Sequence, residues 1–278
     1  MAITVNQASV AAETVSAGVS RQRLMSTANN KNTSVLLDRM TLAAGAVHAL
    51  QIAAGNLAWF QVLEGAATLT HAGGTLELTE AHVAFVPPSF SGTLTAEKGA
   101  ALLFAEVPDA ARFDATFTSN PPPMRIVDWT QEPVLDSEHD ARKRIYMVTP
   151  KLFGTKAIKG EMIIYPAGTK AANHHHEGAE HFMYVLQGAG TAWANEEPFS
   201  VRTGDLIWYA DRERHFLKSD DDAEMRFVEF FVPGVFKTTW APGASVCTWT
   251  PTGRNIRGGS AAREIAHHRA DMGTPQDV

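Results

Sequence analysis

Four of the 11 histidines in this 278-residue chain fall within eight positions, as His174, His175, His176 and His181 in the run PAGTKAANHHHEGAEHFMYVLQGAG. Imidazole is neutral near pH 7 and directs a lone pair that bonds at about 2.0–2.1 Å, so histidines gathered on one side bind a borderline divalent metal. Alternation along an extended strand decides which of them converge. His174 and His176 project to one side and His175 to the other, and a turn at Glu177 to Glu180 returns His181 on the next strand. His215, after the segment GDLIWYADRER, projects from a later strand. His174, His176, His181 and His215 are therefore the expected metal ligands, with His181 either a fourth ligand or the adjacent acid or base. His175 is expected to stand outside the set. Met183 and Val185 share the parity of His181 and, with Trp208, are expected to wall a substrate pocket. Arg226 lies in an otherwise apolar strand and would need a carboxylate partner from protein or substrate.

Strands must carry these side chains, and the chain writes the same strand unit twice. WFQVLEGAATLT from Trp59 reappears in outline as HFMYVLQGAGTAW from His181, and each is followed by a polar turn and further strands ending in HVAFVPP and GDLIWYA. Gly65 and Gly188 are 123 residues apart, Pro88 and Ala210 122 apart, so one register holds with a single-residue slip. Period-two runs separated by Gly, Pro, Asn or Asp predict an all-β antiparallel sandwich or barrel. The expected organisation is an N-terminal unit over 1–110, a linker over 111–139 containing TSNPPPMR, a C-terminal unit over 140–240 and an arm over 241–278. The first 30 or so residues and the segment after Trp240 read as arms, extended or exchanged with a neighbouring copy, and the last ten as disordered. His267 and His268 are expected to be solvated.

At the histidine run the chain resembles the cupin superfamily, whose motifs read G-x5-H-x-H-x3,4-E-x6-G and G-x5-P-x-G-x2-H-x3-N. Here the first is Gly168, His174, His176, His181 and Gly188 with matching spacings. The second is Gly204, Ala210 in the proline place, Arg212 in the glycine place, His215, and Ser219 where asparagine would stand. The resemblance spans both halves and implies two tandem jelly-roll barrels, a bicupin. It also implies a divalent transition metal, iron first, with manganese, nickel or zinc as alternatives. His181 stands where the family usually has glutamate, and Glu180 has the wrong parity to replace it. An all-histidine set leaves the metal more positive and favours an anionic chelating substrate; without His181 it resembles the three-histidine iron centres of gentisate-type and diketone-cleaving dioxygenases. The implied activity is a dioxygenase acting on a small phenolic or diketone-like acid. The alternatives are a non-redox hydrolase or isomerase, as in ureidoglycine aminohydrolase, and a ligand-binding cupin without catalysis. Cupins also expose sheet edges that arms of a second copy cover, which implies a homodimer. In the first half the matching register puts Gln51, Ala53, Ala58 and Thr93 at the ligand positions, so no metal is expected there, and His48, His71 and His82 lack ligand spacing.

Composition sets the outer limits. With 45% hydrophobic and 19% charged residues the chain can bury a sizeable core, which excludes a disordered reading. Lys plus Arg total 24 against 30 Asp plus Glu, a net charge of -6 that gives no basic field for nucleic acid. One cysteine, Cys247, cannot form an internal disulfide. The N-terminal run lacks the basic and apolar regions of a signal peptide, and no stretch reaches the roughly 18–20 apolar residues of a membrane span. A cytoplasmic location, a small-molecule substrate, and neither membrane nor nucleic-acid partners are the expectations.

Overall fold

The computed structural model describes residues 1–266 and 268, and it is built almost wholly of antiparallel strands. Two compact units divide it: residues 7–128, and residues 129–278 together with 1–6. No helix among the described residues is long and apolar enough to cross a membrane.

In the 7–128 unit the strand Leu57–His71 runs through the whole barrel wall. Its first part pairs with His82–Val86 and Ala100–Val107, its last part with Gly74–Thr79 and Ser91–Ala96. Inward positions of this unit are apolar, with Leu50, Ile52, Phe60, Leu69, Leu94 and Leu102 buried together. The positions aligned with the metal motif fit that picture. Ala58 is buried in the core, Gln51 is exposed and donates to Ser91 Oγ at 2.8 Å, and Thr93 pairs in the sheet with Ala49 and Thr70.

The other unit sets an eight-stranded sheet against a five-stranded one. In the larger sheet Lys143–Val148, Lys159–Tyr165, Met225–Val232, Glu180–Gln187 and Asp205–Tyr209 lie side by side. Its register makes inward rows: Lys159, Phe231, His181 and Tyr209 in one, Tyr146, Glu161, Glu229 and Met183 in the next. The smaller sheet orders Glu197–Arg202, Ala189–Ala194, His215–Ser219, His174–Glu177 and Lys237–Trp240.

The duplicated glycines do the same job in both units. Gly65 and Gly188 have φ of 75° and 80°, and a Cβ on either would meet a backbone oxygen, Gly99 O at 2.5 Å or Glu224 O at 2.2 Å. Only glycine allows that approach at that conformation.

Both arms carry strands that pair within this chain. Ile3–Asn6 pairs antiparallel with Asp205–Tyr209, and Trp249–Pro251 pairs with Val134–Ser137. Trp249 and Ile265 are buried with Leu135 and Tyr146, which ties the C-terminal segment down through its apolar side chains. His267 and residues 269–278, the whole stretch expected to be disordered, lie outside the described residues.

Candidate metal centre

The two sheets bring the histidines together from opposite sides. His174 and His176 sit on the strand His174–Glu177, and His215 is the register partner of His174 on the next strand. A two-residue link at Gly178 and Ala179 then carries the chain to the larger sheet, where His181 begins the inward row. Gly178 has φ of 98° and donates its N–H to Asp211 Oδ1 at 2.7 Å, so the crossing needs a residue free of a Cβ penalty. Arg212, in the motif's glycine place, has φ of 62°; its N–H donates to His176 O at 2.7 Å, and its guanidinium pairs with Glu177 at 3.2 Å. His175 points away, pairs in the sheet with Thr239, and lies 3.6 Å from Glu177.

Each ring is held by its outer nitrogen. His174 Nδ1 lies 2.8 Å from Ala172 O, His215 Nδ1 2.8 Å from Glu213 O, and His176 Nδ1 3.1 Å from Thr238 Oγ1. Donation from Nδ1 leaves Nε2 of each ring as a free lone pair, which is how outer partners select the tautomer of metal-ligating histidines. His174, His176 and His215 each offer a ligand atom within 4.8 Å of the others, and no other such grouping of His, Cys, Asp or Glu is present among the described residues. Burial holds all three well below the usual histidine range, and the neighbouring imidazoles add to this. They are neutral donors at pH 7.

His181 stands beside this trio. Its Nε2 lies 3.0 Å from Glu229 Oε2 and donates to it, which leaves Nδ1 unprotonated and 3.1 Å from His215 Nε2. Two lone pairs at that separation repel unless a cation lies between them, and burial pushes His181 down to about 3, so a proton is a poor candidate. Ligand bonds of about 2.1 Å at near-right angles give an N···N edge of roughly 3 Å. The donor set of His174, His176 and His215 therefore fits a divalent metal, and His181, which is outside that trio, directs Nδ1 at His215 Nε2.

A family model described as a cupin domain matches residues 161–231, the segment that carries the histidines. Among solved structures, a variant of oxalate decarboxylase from Bacillus subtilis superposes with a TM-score of 0.66 and 14% identity over 85% of this chain and 78% of its own. The fold is that of a bicupin. Ylba from E. coli is similar too, with a TM-score of 0.67 and 12% identity over 83% of this chain and 90% of its own. Of curated relatives, protein SchB of Streptomyces halstedii is 30% identical over 83 residues, covering 30% of this chain and 59% of its own length. The uncharacterized protein MJ1618 of Methanocaldococcus jannaschii is 26% identical over 83 residues, 66% of its length. The chain thus spans less than two thirds of either curated relative it matches.

Within the C-terminal cupin a cavity of about 60 Å³ opens beside the imidazoles. At ~10–15 Å³ for each enclosed water, that is room for about four to six waters or one small molecule. Of the residues expected to wall it, Met183 does so, and Val185 packs in the adjoining core. Trp208 and Arg226 lie away from it, because strand parity puts them on the opposite face of the same sheet. Trp208 Nε1 donates to Glu180 Oε2 at 2.7 Å, and Arg226 pairs with Glu224 at 2.8 Å over the Trp129 ring. The charged lining is instead Arg142, Arg144, Lys159, Glu161 and Glu229. Charged residues at alternate places, Arg142 and Arg144 in RKRIYMV and Lys159 and Glu161 in KGEMIIY, were the available sequence signal. His268 also lines the cavity, with Nε2 2.8 Å from Tyr146 Oη, so it is not solvated as expected; burial pushes it down to about 3.

His181→Glu tests the fourth donor. A ligand at Nδ1 predicts that the variant keeps its metal but weakens binding of an anionic chelator, since the centre becomes one charge less positive. An unchanged metal spectrum combined with an altered pH profile would instead assign His181 to acid–base work.

Proposed function

We propose that this bicupin is a metal-dependent enzyme, a non-haem dioxygenase acting on a small oxygenated acid. The observation that carries it is the gathering of His174, His176 and His215, with His181 beside them, next to a small cavity that His174 and His176 line together with three cationic side chains. Held by His174, His176, His215 and His181, an iron ion would supply Lewis acidity and electron-transfer capacity. The chain's own residues account for the rest. Arg142 and Lys159 draw an anion inward; Arg142 is fixed by Asp140 at 2.8 Å and by Tyr165 Oη at 3.2 Å. Trp240, in ring contact with His174 at 5.1 Å, and Phe236, at 4.9 Å from His176, keep bulk water from the donors. Glu229 holds the proton of His181 at Nε2 and so keeps Nδ1 directed inward.

The cationic lining favours an anionic acid that chelates through two oxygens. Oxalate decarboxylase, similar in fold, is named for a two-carbon dicarboxylate. The test is oxygen uptake by anaerobically purified, iron-loaded protein across small diketones, keto acids, oxalate, gentisate and salicylate. Consumption with at least one of these chelating acids is expected; none with any of them would defeat the proposal. Buried acid–base groups in the cavity favour a second reading, a metal-assisted hydrolase or isomerase, which would turn over substrate under argon.

A further inference from the structure

We propose that Lys159 is the catalytic acid of this site, donating its Nζ proton to the substrate atom on which negative charge develops. The proposal rests on the enzymatic reading above and assigns it a residue that the histidine motif does not contain. Every residue of the strand Lys159–Tyr165 is buried, and its inward set, Lys159, Glu161, Ile163 and Tyr165, lines the cavity. Lys159 is 2% exposed. Burying an ion pair costs several kcal/mol per ion, and a well-packed apolar residue of similar volume is often the more stable choice. The pair to Glu161 is long at 3.4 Å, against about 2.7–2.9 Å for a strong charge-assisted bond, and Arg144 approaches the same carboxylate at 3.0 Å.

The surroundings suit proton transfer. Nζ lies 4.8 Å from the Phe236 ring centroid, 5.0 Å from that of Phe231 and 5.2 Å from that of Tyr146, an apolar box that favours the neutral amine on the product side. Phe231 also stacks on His181 at 4.2 Å, so one ring touches both the lysine and the donor cluster. The charged and titratable groups around the lysine come from every neighbouring element. They are Glu161 on its own strand, Arg144 and Tyr146 on one flank, Glu229 on the other, His176 and His181 at the donor cluster, and His268 from the C-terminal segment. Burial lowers Lys159 and raises Glu161, so the charged and neutral forms of the pair are brought closer in free energy. The step moves one proton from Nζ to substrate and leaves a neutral amine, which water reprotonates after product leaves.

Cyanate, a small anion that carbamylates neutral amines, probes this without turnover. At pH 7 mass spectrometry is expected to find Lys159 modified at least about tenfold faster than the exposed Lys31 and Lys98, and oxalate is expected to block it. Lys159 left intact while the surface lysines react would overturn the proposal. In the turnover assay, Lys159→Met should keep its metal content and lose about 10²–10⁴ in kcat, and Lys159→Arg, whose guanidinium keeps the charge but does not release a proton, should not restore it. Wild-type kcat in Lys159→Met would also overturn it. If the wild-type protein turns over nothing in the panel, the proposed reaction fails, and the cyanate result alone decides for Lys159.

Discussion

Protein carrying His176→Ala is expected to retain less than about a tenth of the wild-type metal after purification without a nickel column, measured by elemental analysis. His176 is 7% exposed, its Nδ1 is engaged by Thr238 Oγ1, and it offers a ligand atom within 4.8 Å of those of His174 and His215, so its removal breaks the trio. The loss should exceed the ~10–100-fold in affinity that removal of an outer hydrogen-bond partner costs. Thr238→Val supplies that comparison, since it leaves the imidazole in place but frees its outer nitrogen. His174→Ala should resemble His176→Ala. His175→Ala should change nothing, because strand alternation turns that ring toward Glu177. In the other unit, Gln51→Ala and Thr93→Ala should leave metal content unaltered. Equal losses from His174, His175 and His176 would show that the run binds metal as a loose surface chelate and not as a barrel site.

The same alternation explains what could be foreseen. The separation of His174 and His176 from His175, the turn that returns His181, and the equivalence of Gly65 and Gly188 are local or repeated features, and one strand's parity suffices to state them. The lining cations were harder. An arginine in an apolar strand drew attention to Arg226, but Arg226 and Glu229 are three residues apart and so face opposite ways, and it is Glu229 that faces the cavity. Arg144 occupies an equivalent setting in its own strand and points inward because its register partner is Ile163. Register between strands distant in sequence is set by pairing that no single strand encodes. The C-terminal segment is the extreme case. Trp249, Ile265 and His268 reach Tyr146 across a separation of about a hundred residues, held by apolar burial that composition alone does not announce.

Acid should destabilise the metal-free protein steeply, and metal should postpone the effect. Burial holds His176, His181 and His215 far below the ordinary histidine value in the folded chain, whereas each titrates near 6.5 once unfolded. Well above pH 6.5 the two states bind the same protons at these rings, and stability is flat. As pH approaches and passes that point the unfolded chain takes up protons that the folded chain refuses, so stability drops by up to about 1.4 kcal/mol per pH unit for each ring. Three rings give up to about 4 kcal/mol per unit, against a net stability of about 5–15 kcal/mol for a whole domain. Glu161 works in the opposite sense, since burial raises it and the folded chain takes its proton first, which offsets part of one ring's contribution. The urea midpoint of chelator-treated protein is therefore expected to begin falling between pH 7.5 and 6.5 and to collapse between about pH 6 and 5. In metal-loaded protein the lone pairs are occupied, protons must displace the ion to reach them, and the collapse should move to lower pH together with metal release. A midpoint that stays level down to pH 5 in the metal-free protein would mean that these three imidazoles are not held neutral by burial, and the case for a preformed donor set would go with it.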